Sequence, residues 1–90
     1  MILFRIFYTP EASERIGEIQ KFDPKSARII FDRIKKLPEI YRFDPFLVGT
    51  PFKTLRRNRI GRYRAIYLVL EKEKEIHIIT IDLRKSVYDR

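Results

Sequence analysis

Helical and strand patterning follow one another along this 90-residue chain, and that order restricts its fold more than any other feature. Thr9-Pro10-Glu11 places a hydroxyl N-cap, a proline at the first helical position and an acid in the first turn. Ala12, Ile16 and Ile19 then recur at helical spacing, with Glu14, Arg15 and Glu18 on the other side. Asp23-Pro24 repeats the start signal. Ala27, Ile30, Phe31, Ile34 and Leu37 form the apolar stripe of a second helix, which Pro38 is expected to end. Two helices joined so tightly should form a hairpin with a shared apolar face.

Around this hairpin the periodicity changes to that of strands. Ile2–Tyr8 is rich in β-formers and reads as a first strand. Residues 39–51, with Pro45, Gly49 and Pro51, read as a loop that Ile40, Tyr41, Phe43, Phe46 and Leu47 could pin to the core. Phe52–Arg59, Tyr63–Leu70 and Ile76–Leu83 follow as three strands, separated by turns at Ile60-Gly61-Arg62 and Glu71–Glu75. Residues 65–70 are apolar on both faces, as in a central strand. Residues 84–90 make a short polar tail. The expected fold is therefore α+β: an N-terminal strand, a two-helix hairpin, then a three-stranded antiparallel meander. The helices should pack on one sheet face and leave the other partly open to solvent or a partner. Residues 1–90 are expected to form one domain.

The chemistry open to such a chain is narrow. It has no cysteine and one histidine, His77, so thiolate metal sites, histidine-rich metal sites and double-histidine nuclease chemistry are excluded. No cofactor or metal is implied. There is no membrane-length apolar run and no signal-peptide layout at Met1-Ile2-Leu3-Phe4-Arg5, so a cytoplasmic protein is expected. The formal charge is +8, unevenly spread. Residues 1–52 hold nine basic and seven acidic side chains, and residues 65–90 hold five of each. Residues 53–64 hold six basic side chains and no acid. Concentrated positive charge of this kind marks a polyanion site, whereas scattered charge would serve solubility.

Within that segment, strand alternation puts Arg57 and Arg59 on one face, and the turn at Gly61 folds Arg64 back beside them. Three guanidiniums so placed suit bidentate phosphate binding, with no acid nearby in sequence to neutralise them. Tyr63 and Tyr67 share a strand face and read as core. His77, alone in mid-strand, reads as structural or exposed.

Arg57-Asn58-Arg59-Ile60-Gly61-Arg62-Tyr63-Arg64-Ala65-Ile66-Tyr67 resembles the signature Y-R-L-R-V-G-D-Y-R-V-I-Y of the RelE family in the RelE/ParE toxin superfamily. Leu83-Arg84-Lys85-Ser86-Val87-Tyr88 resembles that family's closing motif, H-R-x-x-V-Y. Lys53-Thr54-Leu55 and Leu37-Pro38 match its K-x-L and L-P. The resemblance runs through essentially the whole chain. It implies the toxin of a type II toxin–antitoxin pair: a metal-independent, ribosome-dependent endoribonuclease that cuts mRNA in the A site.

By the same resemblance Arg57 helps to position and activate the nucleophile, and Arg64 stabilises the transition-state phosphate. Arg84 lies near the leaving group and Tyr88 stacks on a base. Lys53, Arg56, Arg59, Arg62 and Lys85 would supply further RNA contacts. Leu83 stands where the family has a histidine, Leu55 where some relatives have a second basic residue, Asn58 where an apolar residue is usual and Arg62 where the turn has an acid. Leu68 replaces a common polar residue and suggests a contact surface. The implied partners are the ribosome, mRNA and an acidic antitoxin that forms a hetero-oligomer with the toxin. Two other readings stay open: a ParE-like toxin that inhibits DNA gyrase, and a non-catalytic RNA-binding module. Retention of Arg57, Arg64, Arg84 and Tyr88 together favours the nuclease.

Overall fold

The computed structural model describes residues 3–47 and 54–83. Strand β1 (Arg5–Tyr8) leads through Thr9 into α1 (Pro10–Phe22), and α2 (Pro24–Ile40) follows after one residue. A 3-10 turn at Tyr41–Phe43 precedes β2 (Leu55–Ile60), β3 (Tyr63–Leu70) and β4 (Glu75–Leu83). Among the described residues no helix is long and apolar enough to cross a membrane.

Both helix starts expected from the sequence are present, and each has a structural reason. The Thr9 hydroxyl accepts from the Ala12 N–H at 3.1 Å and donates to the Ile79 carbonyl at 2.6 Å. It thereby caps α1 and anchors it to β4. Asp23 serves both helices. Its N–H donates to the Ile19 carbonyl at the end of α1, and its carboxylate accepts from the Ser26 N–H and hydroxyl at the start of α2. Those bonds from Ser26 hold the Asp23 carboxyl below its ordinary range.

Helix α2 does not stop at Pro38, as the sequence suggests, but continues to Ile40. Proline removes one N–H from the ladder, yet the next turn closes because the Tyr41 N–H reaches the Leu37 carbonyl. Leu37 and Tyr41, at 1% and 2% exposure, hold that turn against the core. Phe31 is a second difference. It lies at the edge of the stripe, 36% exposed, edge-on to Tyr8. Within the expected loop Tyr41 is the buried anchor, while Phe43 is 85% exposed.

The sheet order is β1-β4-β3-β2. The three later strands form the expected antiparallel meander, and β1 joins its outer edge parallel to β4. Relative to the sequence reading, β1 begins at Arg5 and β2 runs from Leu55 to Ile60, with Ile60 in the strand and the turn confined to Gly61-Arg62. Opposite Ile66 and Tyr67 the β4 register skips Ile79, a bulge whose carbonyl accepts from Thr9.

The helices cover one face. Ala12 and Ile16 of α1 and Ile30, Ile34 and Leu37 of α2 meet Ile60, Ala65, Tyr67, Ile76, Ile78 and Ile81 in a single core. Alternation sends the intervening strand residues to the opposite face. That face carries the arginines.

Candidate nucleic-acid interface

The hairpin β2–β3 sets the geometry. Its two-residue turn needs a left-handed first position, which Gly61 supplies at φ +61° without steric cost. The turn fixes the register: Ile60 faces Tyr63, Arg59 faces Arg64, Asn58 faces Ala65 and Arg57 faces Ile66. Directly paired residues share a face, so Arg57, Arg59 and Arg64 stand together on the side away from the helices, as expected. Arg59 is exposed, and Arg57 and Arg64 are partly covered.

Two cations directly opposite one another repel. On the far side of Arg64, however, β4 brings Asp82 into register. Arg64 Nε donates to Asp82 Oδ1 and Nη2 to Oδ2, both at 3.1 Å, with side-chain exposures of 22% for Arg64 and 33% for Asp82. The arginine surface therefore has an acidic neighbour, contrary to the sequence expectation. The acid is 18 residues away in the chain and adjacent in the ladder.

Arg56 lies on the other face. Its Nη1 donates to the carbonyls of Tyr41 and Asp44 at 3.2 and 3.0 Å, and its guanidinium sits 4.0 Å above the Phe46 ring. It fastens residues 41–46 to β2 and does not join Arg57, Arg59 and Arg64. Arg62 is exposed at the turn, where its charge also favours the ionised form of Asp23. Lys53, Arg84, Lys85 and Tyr88 lie outside the described residues.

Beneath the arginines runs a polar network that sequence reasoning missed. Asn58, 5% exposed, accepts from Arg33 Nη1 at 2.9 Å and donates through Nδ2 to both Asp44 oxygens at 2.9 and 2.8 Å. The Arg33 guanidinium also reaches the Arg59 carbonyl at 3.0 Å. The Tyr67 hydroxyl donates to Asp44 as well. Burial first, and the Asp44 carboxylate second, raise the Tyr67 hydroxyl well above the ordinary tyrosine value, so it stays a donor. The one available clue was a lone asparagine in a strand of alternating character.

The rest of the open face is of a different kind. Phe7, His77, Leu68 and Leu55 form a row across the four strands, next to Arg57 and Ile66. His77 stacks on Phe7 at 4.9 Å, and its Nε2 lies 2.9 Å from Glu75. Leu68 and Arg64 are four residues apart on β3, so the histidine row lies about 13 Å from the arginine pair. His77 is held in place by its neighbours, in keeping with the structural reading of the sequence.

Residues 6–88 match the family described as ParE toxin of type II toxin-antitoxin system, parDE. The chain belongs to this toxin family. Solved structures agree on the fold. The toxin superposes with TM-score 0.76 on a chain of the toxin–antitoxin complex RelBE2 from Mycobacterium tuberculosis, at 17% identity over 90% of this chain and 98% of that one. It is similar to a chain of the chromosomal ParDE system from Pseudomonas aeruginosa, with TM-score 0.71 and 17% identity over 92% and 98% of the two chains. It is also similar to a chain of the archaeal RelE–RelB complex from Pyrococcus horikoshii, with TM-score 0.68 and 25% identity over 93% and 97%. No curated protein is close enough in sequence to match. The toxin thus has the RelE-like α+β fold, and the superfamily resemblance drawn from its motifs holds.

Proposed function

We propose that this toxin is a ribosome-dependent endoribonuclease that cleaves mRNA through attack by the RNA's own 2′-hydroxyl. The observation that carries the reading is the register of β2 and β3, which gathers Arg57, Arg59 and Arg64 on the sheet face opposite the helices. In the reaction the 2′-oxygen forms a bond to phosphorus as the bond to the 5′-oxygen breaks. The products are a 2′,3′-cyclic phosphate and a 5′-hydroxyl, and the proton lost by the nucleophile and the one gained by the leaving group pass through solvent. Arg57 orients the hydroxyl and phosphate, and Arg64 stabilises charge on the phosphoryl oxygens. Arg59 makes a supporting contact. Arg84, Lys85 and Tyr88 take the leaving-group, phosphate and stacking roles that the sequence resemblance assigns, and Lys53 and Arg62 add RNA contacts. Arginine stays protonated in proteins and shuttles protons poorly, so catalysis rests on geometry and charge. Such a site acts efficiently only on RNA held in place for it, and the ribosome is the holder.

An acidic antitoxin is the second partner. Its support is the charge of +8 and the fact that the relatives from M. tuberculosis and P. horikoshii are chains of toxin–antitoxin complexes.

One observation favours another reading. The matching family is that of ParE, and Arg64 is engaged by Asp82. Both suit a toxin that acts by protein contact on DNA gyrase. Two assays separate the readings: mapping of mRNA ends after incubation with programmed ribosomes, and supercoiling by gyrase. Cleavage at discrete positions with unimpaired supercoiling supports the nuclease. Intact mRNA with blocked supercoiling overturns it.

A further inference from the structure

We propose that Asp82 is a built-in competitor for phosphate, occupying the Arg64 guanidinium so that loose RNA is bound poorly. The inference rests on the nuclease reading and adds to it a means of substrate selection.

The geometry points to competition. A carboxylate and a phosphate present similar paired oxygens to a guanidinium, and both prefer the bidentate arrangement. Asp82 takes that arrangement with Arg64, through Nε and Nη2 at 3.1 Å each. The pair is fixed by strand register, Arg64 opposite Asp82, and does not rely on a chance encounter of flexible side chains. Its members are only 22% and 33% exposed, so solvent screens it less than a fully exposed pair. On the other side Arg64 faces Arg59, whose repulsion the carboxylate offsets.

A phosphate that is to use Arg64 fully must displace the carboxylate or share the guanidinium with it. A loose strand that meets Arg57 and Arg59 first gains little from doing so. A strand held with its backbone fixed over the hairpin meets all three arginines at once, and the phosphate then outcompetes Asp82. The acid thus penalises free RNA more than presented RNA.

The test uses Asp82→Asn, which keeps size and one acceptor but removes the charge. The probe is a ten-nucleotide uridine oligomer bearing 2′-O-methyl groups, which cannot be cleaved, titrated over a range of salt. Asp82→Asn is expected to bind it about three- to tenfold tighter than the unaltered toxin. The slope of log K against log salt is expected to steepen by about 0.7, one extra phosphate contact. Both effects should vanish when Arg64→Ala is added. Unchanged or weaker binding by Asp82→Asn overturns the proposal. So does a gain that persists in the Arg64→Ala background, which would reflect only the loss of a negative charge. If Asp82→Asn does not bind the oligomer at all, this proposal falls, whereas the nuclease reading stands or falls on cleavage of mRNA on programmed ribosomes. Thermal melts accompany the titrations, and Asp82→Ser replaces Asp82→Asn if the latter does not fold.

Discussion

Arg33 on α2 donates through one nitrogen to both the side chain of Asn58 and the main chain of Arg59, and so ties the helical layer to the strand that carries the arginines. Asn58 passes the tie on to Asp44, so three elements meet at one buried amide.

Replacing Asn58 with alanine should therefore be costly although no apolar core contact is lost. It leaves Asp44 with the Tyr67 hydroxyl and Arg33 with the Arg59 carbonyl but removes the bonds both make to the amide, and hydrogen bonds to charged groups are worth about 1.5–3 kcal/mol each. With partial relaxation, a loss of about 2–3 kcal/mol is expected, which lowers the melting temperature by about 8–24 °C in a domain of this size. Urea unfolding of Asn58→Ala measures it directly. A change under about 0.5 kcal/mol, the scale of an ordinary surface substitution, would show that the network contributes little.

Arg64→Ala is expected to abolish mRNA cleavage on the ribosome while the protein stays folded. The exchange breaks a partly exposed ion pair, and such pairs contribute at most about 1 kcal/mol. Primer extension on programmed ribosomes, run beside a thermal melt, separates lost chemistry from lost fold. Cleavage at the normal rate would remove Arg64 from the mechanism.

Arg59 and Arg56 are sequence neighbours but two, yet they should fail in different ways when replaced. Arg59→Ala should flatten the salt dependence of RNA binding by about 0.7 in slope, the value of one single-strand phosphate contact. Arg56→Ala should leave the slope alone and lower the melting temperature, because its guanidinium serves Tyr41, Asp44 and Phe46. Equal effects of the two on the slope would contradict the opposite facing of their side chains.

Tyr88→Phe should retain most activity and Tyr88→Ala should lose it. Base stacking needs the ring alone, and losing one stack costs about 1–3 kcal/mol. Single-turnover cleavage by the two variants decides the matter. Equal damage from both would assign the role to the hydroxyl.

What could be read from the sequence and what could not differ in range along the chain. Thr9-Pro10 and Asp23-Pro24 announce helix starts because capping is a contact over three residues. Gly61 announces its turn for the same reason. Alternation from Arg57 to Arg59, closed by that turn, was enough to bring Arg64 to the same face. Asp82 was invisible as a partner because it reaches Arg64 only across the ladder. Pro38 misled because a local rule about prolines was overridden by the burial of Leu37 and Tyr41. Arg56 looked like its neighbours, and only the position of Phe46 beneath it shows the different task.

The parallel pairing of the first strand with the last has a bearing on when this toxin becomes dangerous. Arg5 finds its register opposite Glu75, seventy positions later. Chains whose contacts span such separations fold slowly, since the loop must be closed before the pairing rewards it. At synthesis rates of about 5–20 residues per second, a growing toxin spends several seconds with β1 unpaired and Ile76, Ile78 and Ile81 not yet made. The arginines of the β2–β3 hairpin are made only near the end of that interval, about 1–4 s before β4 is complete behind them. A product truncated before β4 would lack the strand that pairs with β1 and sets Asp82 beside Arg64, and on the nuclease reading it is expected to leave mRNA intact.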